Sequence, residues 1–214
     1  MRSFDYSYLS LRTWDNEILS YVAKIHEYKG KQELYLRQKP VELERLVEVA
    51  KVQSTESSNR IEGIITTKSR LQQLVEDKTT PRNRDEKEIL GYRNVLNLIH
   101  ENYEYIPFRS NYILQLHRDL LQYTELTYGG KYKTISNEID AVLPNGEKRI
   151  LFKPLEPYET PGAIEQICDS YQRALEQEIV DPLILIPCVI LDFLCVHPFN
   201  DGNVPLRYQQ QIAA

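Results

Sequence analysis

The chain has 214 residues, 42% of them hydrophobic, with 26 Lys+Arg against 31 Asp+Glu and a net charge of -5. That length suits one domain, or one domain with an extension, and can bury about 70% of the surface of the unfolded chain. The acidic balance disfavours nucleic acid as a partner, because the surface as a whole does not attract phosphate.

The first ten residues have no apolar signal core. Leu11, Trp14, Ile18, Tyr21, Val22 and Ile25 follow a helical period. Pro40 opens a second helix with Leu43, Leu46, Val47 and Ala50 on one face, and residues 1–50 read as a helical extension. Ser54 to Glu62 reads as a short polar helix closed by Gly63 as a left-handed cap. Thr67 caps a helix through Leu71, Leu74 and Val75. Ile89, Tyr92, Leu96 and Ile99 mark another, and Ser110 caps one with Ile113, Leu116, Leu120 and Leu121.

Strand signals are confined to Ile139–Leu143 and Arg149–Phe152, which flank the turn residues Pro144-Asn145-Gly146. Thr160-Pro161 then starts a helix through Ile164, Ile167, Tyr171 and Leu175. Asp181-Pro182 starts an apolar one ending near Val196, with Pro187 placed to kink or delay it. That apolar run is too short to span a bilayer and contains Asp192, so it reads as a buried core helix. Cys168, Cys188 and Cys195 fall in apolar helical patterns and read as reduced, buried thiols of a cytoplasmic protein. The expected fold is mainly α with one β-hairpin.

Directly after the apolar helix stands His197-Pro198-Phe199-Asn200-Asp201-Gly202-Asn203. A neutral histidine can take a proton from a hydroxyl near physiological pH. Phe199 can pin the turn into the core. Asp201 offers a hard oxygen ligand suited to Mg²⁺. Gly202 lets backbone approach a phosphate closely, and Asn203 can donate to phosphate oxygens or cap a following helix. The set suits phosphoryl or nucleotidyl transfer. Taken alone, Asn-Asp-Gly-Asn also reads as an ordinary turn. His26, His100 and His117 have no partner spacing.

The loop resembles the signature of the Fic family, His-Pro-Phe-x-Asp/Glu-Gly-Asn-Gly-Arg-x-x-Arg. Gly130-Lys131-Tyr132-Lys133 resembles the family's stretch before its flap, and Leu151-Phe152-Lys153-Pro154 resembles the second flap strand. The resemblance covers roughly residues 50–203. It implies a Fic-type helical bundle with a hairpin flap that transfers AMP from ATP to a hydroxyl side chain of a target protein. His197 would be the general base and Asp201 the ligand of Mg²⁺. Gly202 and Asn203 would form the phosphate nest, and with Phe199 and Asp201 they make the expected nucleotide-binding set. The hairpin at about 139–152 would dock the target by strand addition. Ser58, Glu62 and Gly63 resemble the family's inhibitory motif, Ser/Thr-x-x-x-Glu-Gly/Asn, which implies an inhibitory helix at about 54–63 ahead of a Fic domain at 51–214. A homodimer stays open, and no membrane partner is expected.

The chain departs from that pattern after Asn203. Val204 stands for the glycine, Pro205 for the first arginine and Tyr208 for the second, with Arg207 one place short. Valine resists a positive φ, and proline brings no amide hydrogen to the nest. The family core continues further than Ala214, so the tail reads as a frame slip or truncation, with a divergent natural ending as the alternative. Impaired transfer, a catalytically inactive binding module, or a related reaction such as AMP removal or phosphocholine transfer are the readings that remain.

Overall fold

The computed structural model describes residues 4–38, 40–61, 63–64, 66–142 and 148–203. These residues include seven α-helices and one hairpin: α1 (Asn16–Gln38), α2 (Pro40–Ile61), α3 (Lys68–Val75), α4 (Arg84–Asn102), α5 (Ser110–Leu120), β1 (Ile139–Val142), β2 (Lys148–Phe152), α6 (Thr160–Glu176) and α7 (Pro182–Val196). The mainly α expectation holds. The strands pair antiparallel from Val142 opposite Lys148 to Ile139 opposite Phe152. The turn residues Pro144, Asn145 and Gly146, with Leu143, lie outside the described residues, as do Glu62 and residues 204–214.

The core lies among α4, α5, α6 and α7. Tyr92, Leu96, Ile99, Ile113, Leu120, Ile164, Ile167, Leu185, Phe193 and Val196 are buried together. Phe4, Tyr6 and Leu9, which precede α1, join the same cluster, so the first residues of the expected extension help to build the core. The Tyr6 hydroxyl donates to the buried Asp192 carboxylate at 3.2 Å, which gives the acid of α7 a partner inside apolar surroundings.

Local signals read from the sequence set several boundaries. The Thr67 hydroxyl accepts the Arg70 N–H, and the Asp181 carboxylate accepts the Leu183 N–H with Pro182 at the first helical position. Gly63 sits at φ +78. Its N–H donates to the Arg60 carbonyl at 3.1 Å, and the Ile64 N–H donates to the Asn59 carbonyl at 2.9 Å. This is the paired closure of a helix by a left-handed glycine.

Other readings are corrected. Ser54–Ile61 is not a separate short helix but the last part of α2, continuous from Pro40. Leu11 and Trp14 do not share a helix with Ile18, because a 3₁₀ turn ends at Leu11 and α1 starts at Asn16. The apolar stripe of α1 is not covered: Ile18, Tyr21 and Ile25 are exposed, as are Leu46 and Val47 on α2. Ser110 is the first residue of α5 rather than its cap, which is Arg109 without a side-chain bond. The helix α7 runs unbroken through Pro187 and is buried on one face only, with Leu191 58% exposed. Of the three free cysteines, Cys168 is buried while Cys188 and Cys195 are half-buried.

Close approach of α4 and α5 is set at Gly91, where an added Cβ would stand 1.8 Å from the Leu120 carbonyl oxygen. That atom is backbone and cannot turn aside. Gly91→Ala is therefore expected to force the helices apart and cost about 1–3 kcal/mol or more. Gly30 in α1 has nothing within 4 Å. Gly30→Ala is expected to gain roughly 0.5–1 kcal/mol of helix propensity. Thermal denaturation of the two variants beside the parent chain checks both signs.

Candidate active site

The helix α7 ends at His197, whose N–H still donates to the Phe193 carbonyl at 2.9 Å while its own backbone turns left-handed at φ 49, ψ 64. Such a turn costs a non-glycine residue roughly 1–2 kcal/mol. It reverses the chain so that Pro198 and Phe199 drop into the core. Phe199 is fully buried and stacks on His117, with ring centroids 3.8 Å apart and planes 14° apart. The Asn203 side chain clasps the Phe199 backbone from both sides. Its Oδ1 accepts the Phe199 N–H at 2.8 Å, and its Nδ2 donates to the Phe199 carbonyl at 2.8 Å. The Asn203 amide, expected to serve a phosphate or a helix, is thus committed to closing the loop, and Phe199 anchors it.

His117 holds the other side of the loop. Its Nδ1 accepts the Gly130 N–H at 3.0 Å, and its Nε2 lies 3.0 Å from the Asp201 carbonyl oxygen. A carbonyl only accepts, so Nε2 carries the hydrogen and Nδ1 carries none. The ring is therefore a neutral spacer, and burial pushes its pKa down to about 4. Gly202, at φ +75, faces this ring: a Cβ there would come within 3.2 Å of Leu120 and 3.4 Å of His117.

Asp201 is half-buried at the edge of the loop. Its Oδ1 accepts the Gly202 N–H at 2.8 Å, and its Oδ2 takes the Arg84 guanidinium at 3.0 Å. The same guanidinium donates to Glu88 at 2.7 Å. Asp201, Gly202 and Arg84 line a cleft of about 290 Å³ whose far wall is the end of α2, with Asn59, Gly63 and Ile64. Ser58, one turn before that end, is buried and donates to the Tyr92 hydroxyl of α4 at 2.9 Å. Mg²⁺ is commonly held by one or two carboxylates together with waters and substrate phosphates. A single carboxylate beside a cleft fits that donor set. Among the described residues no group of three or more His, Cys, Asp or Glu side chains could hold a metal by itself. A larger apolar cavity of about 380 Å³, lined by Ile99, Phe108, Tyr112, Tyr171 and Val189, contains none of the loop residues.

His197 itself is half-buried, and burial followed by the nearby Lys133 charge holds its pKa below the ordinary value, against the Leu194 carbonyl. The ring is thus kept in the form that accepts a proton. The stretch before the hairpin is stitched to the loop, since the Lys133 N–H donates to the Pro198 carbonyl at 2.8 Å and Asn137 Nδ2 to the Phe199 carbonyl at 3.2 Å. The root of the hairpin is therefore fixed two residues before β1 begins. Sequence reasoning missed Arg84, His117 and Lys133 as neighbours of the loop. Only Lys133 had a signal, in Gly130-Lys131-Tyr132-Lys133.

Residues 107–205 match the model of the Fic/DOC family. No curated protein matches the chain. Among solved structures, the chain resembles a Fic-domain-containing signalling protein from Bacteroides thetaiotaomicron, with TM-score 0.70 and 25% identity over 80% of this chain and 64% of that one. It also resembles a Fic family protein from Desulfovibrio desulfuricans, with TM-score 0.71 and 18% identity over 94% of this chain and 58% of that one. Fic-1 from C. elegans matches with TM-score 0.69 and 18% identity over 97% of this chain and 63% of that one. At 18% identity the likeness speaks to the fold alone. The chain spans less than two thirds of the length of each of these proteins. The helical fold and the Fic resemblance read from the loop are both upheld.

The neutral His117 has a measurable consequence. Its folded pKa is depressed, so its contribution to stability is complete above the ordinary histidine value and is lost as pH falls from 6.5 toward about 4. Urea unfolding across that range is expected to show a loss in the parent chain that shrinks in His117→Gln. At pH 7, His117→Phe should keep the stack but strand the Gly130 N–H and the Asp201 carbonyl, at about 1–3 kcal/mol for each group.

Proposed function

We propose that this chain, whose residues 107–205 match the Fic/DOC family, transfers AMP from ATP to a hydroxyl side chain of a target protein. The observation that carries the reading is the folded loop from His197 to Asn203. Its histidine stands at the mouth of α7 with a depressed pKa, and its acid and glycine stand on a cleft. In this reading His197 takes the proton of the target hydroxyl. The hydroxyl oxygen bonds to the α-phosphorus of ATP, and the bond from that phosphorus to the bridging oxygen breaks to release pyrophosphate. Asp201 and Gly202 border the nucleotide phosphates. Asp201 would hold Mg²⁺, which when bound supplies positive charge against the phosphate oxygens. Moving Arg84 off Asp201 Oδ2, which the Tyr128 hydroxyl also reaches at 3.5 Å, would open that oxygen for the role and leave a guanidinium beside the phosphates. The hairpin at 139–152 takes the target's extended backbone. Cytoplasmic residence is part of the same reading. Among the described residues no helix is long and apolar enough to cross a membrane.

Autoinhibition through Ser58, Glu62 and Gly63 belongs to the proposal too. Its support is that Asn59 and Gly63 wall the cleft that holds Asp201. Glu62 itself lies outside the described residues. A second reading, an inactive Fic-type binding module, is favoured by Val204, Pro205 and Tyr208 in place of the family's glycine and arginines. AMP removal or phosphocholine transfer would use the same loop.

Incubation with radiolabelled ATP and a lysate is expected to label a target protein. His197→Ala should lower that labelling by about 10²–10⁴-fold, the usual share of general-base catalysis, while leaving the thermal melt nearly unchanged. Labelling that survives the substitution would remove His197 from the mechanism. Calorimetric titration with Mg·ATP separates the readings, since target binding without nucleotide binding selects the inactive module.

A further inference from the structure

Lys133 is 2% exposed, and the transfer chemistry above draws on its charge but not on the hydrogen bonds of its ammonium. A buried ammonium is tolerated only when it is well hydrogen-bonded. Its Nζ donates to the Val196 carbonyl at 2.9 Å and to Asn137 Oδ1 at 2.9 Å, and its backbone N–H donates to the Pro198 carbonyl at 2.8 Å. Val196 and Pro198 are the two residues that flank His197. One residue therefore grips the chain immediately before and after the left-handed turn.

We propose that Lys133 is the positioning residue of His197, clamping the peptides on both sides of it and setting a fixed positive charge beside the imidazole. The purpose of the clamp rests on His197 being the base, but the clamp itself can be read without any transfer assay. The Val196 carbonyl is among the last of α7, where a cation is favoured by the unpaired carbonyls and the helix dipole. A neutral donor could fill the hydrogen bonds, but only a cation also resists protonation of the ring. Among the described residues, the charged groups that bear on this pair are few. Glu156 bears on the ammonium and is itself held anionic by the Ser136 hydroxyl and Lys153. From α7, the Leu194 carbonyl bears on the imidazole. Burial brings the Lys133 ammonium down to about 8, so the charge persists through neutral pH.

The test is the titration of the His197 ring followed by NMR on isotope-labelled histidine, with the resonance assigned by its loss in His197→Gln. In the parent chain the ring should titrate below 6.5. In Lys133→Met it should bind its proton roughly three- to tenfold more tightly, a rise of about half to one pKa unit. Lys133→Arg should restore the low value. Equal titration in all three would overturn the proposal, even if Lys133→Met were less stable. Should Lys133→Met fail to fold, the parent chain still decides. Its His197 resonances should show a second step as Lys133 loses its proton near 8, and a single step would overturn the clamp. The expected ring titrations together with no AMP transfer would uphold the clamp and sink the transfer reading.

Discussion

Phe199 is the point about which the loop turns. Burying such a ring is worth about 1.5–3 kcal/mol, against roughly 1–2 kcal/mol for the left-handed His197 two residues earlier. The two terms are of the same size, so burial by itself barely offsets the turn. The margin comes from polar closure. The Phe199 carbonyl accepts from both Asn203 and Asn137, and its N–H is met by Asn203. His117 then stacks on the ring and holds the Asp201 carbonyl. The histidine of the loop is placed by groups that never touch the cleft.

The same dependence runs outward into the bundle. His117 sits on α5, and α5 reaches the loop because Gly91 lets α4 approach Leu120 so closely. The first turn of α4 then carries Arg84 to Asp201. A displacement of α4 against α5 would therefore be felt at the loop's carbonyl and at its carboxylate together. Packing and polar contacts cannot be divided here into separate tasks.

What could be read from the sequence was whatever a residue decides with its near neighbours. Asp181-Pro182 starts α7, Thr67 caps α3 and Gly63 ends α2 through bonds reaching no more than five residues. The strands around Pro144-Asn145-Gly146 and the motif from His197 to Asn203 were visible for the same reason. Arg84 and Asp201 are 117 positions apart, and Lys133 and Val196 are 63 apart. Neither pair leaves a periodic mark, because each joins a helix to a loop far away in the chain. His117 has a helical neighbour in Leu120 but no spacing that announces a loop partner. The stripe on α1 misled in the other direction: a helical period of apolar residues tells which side could be buried, not that anything covers it.

The manner in which α2 is attached has its own consequence. Its buried positions Thr55, Ser58 and Asn59 are polar, while Leu46, Val47, Val49 and Ile61 are exposed. Ser54 and Ser58 meet the bundle on a single Tyr92 hydroxyl, and of its apolar side chains Val52 packs on the small cluster of Leu71, Leu74, Val75 and Ile89. Hydroxyl bonds of this kind contribute about 1 kcal/mol each, far less than the apolar contacts that bind α4 to α7. A protein with such a seam opens in stages rather than all at once. The segment that walls the cleft is therefore expected to part from the bundle at a lower free energy than the core helices part from one another.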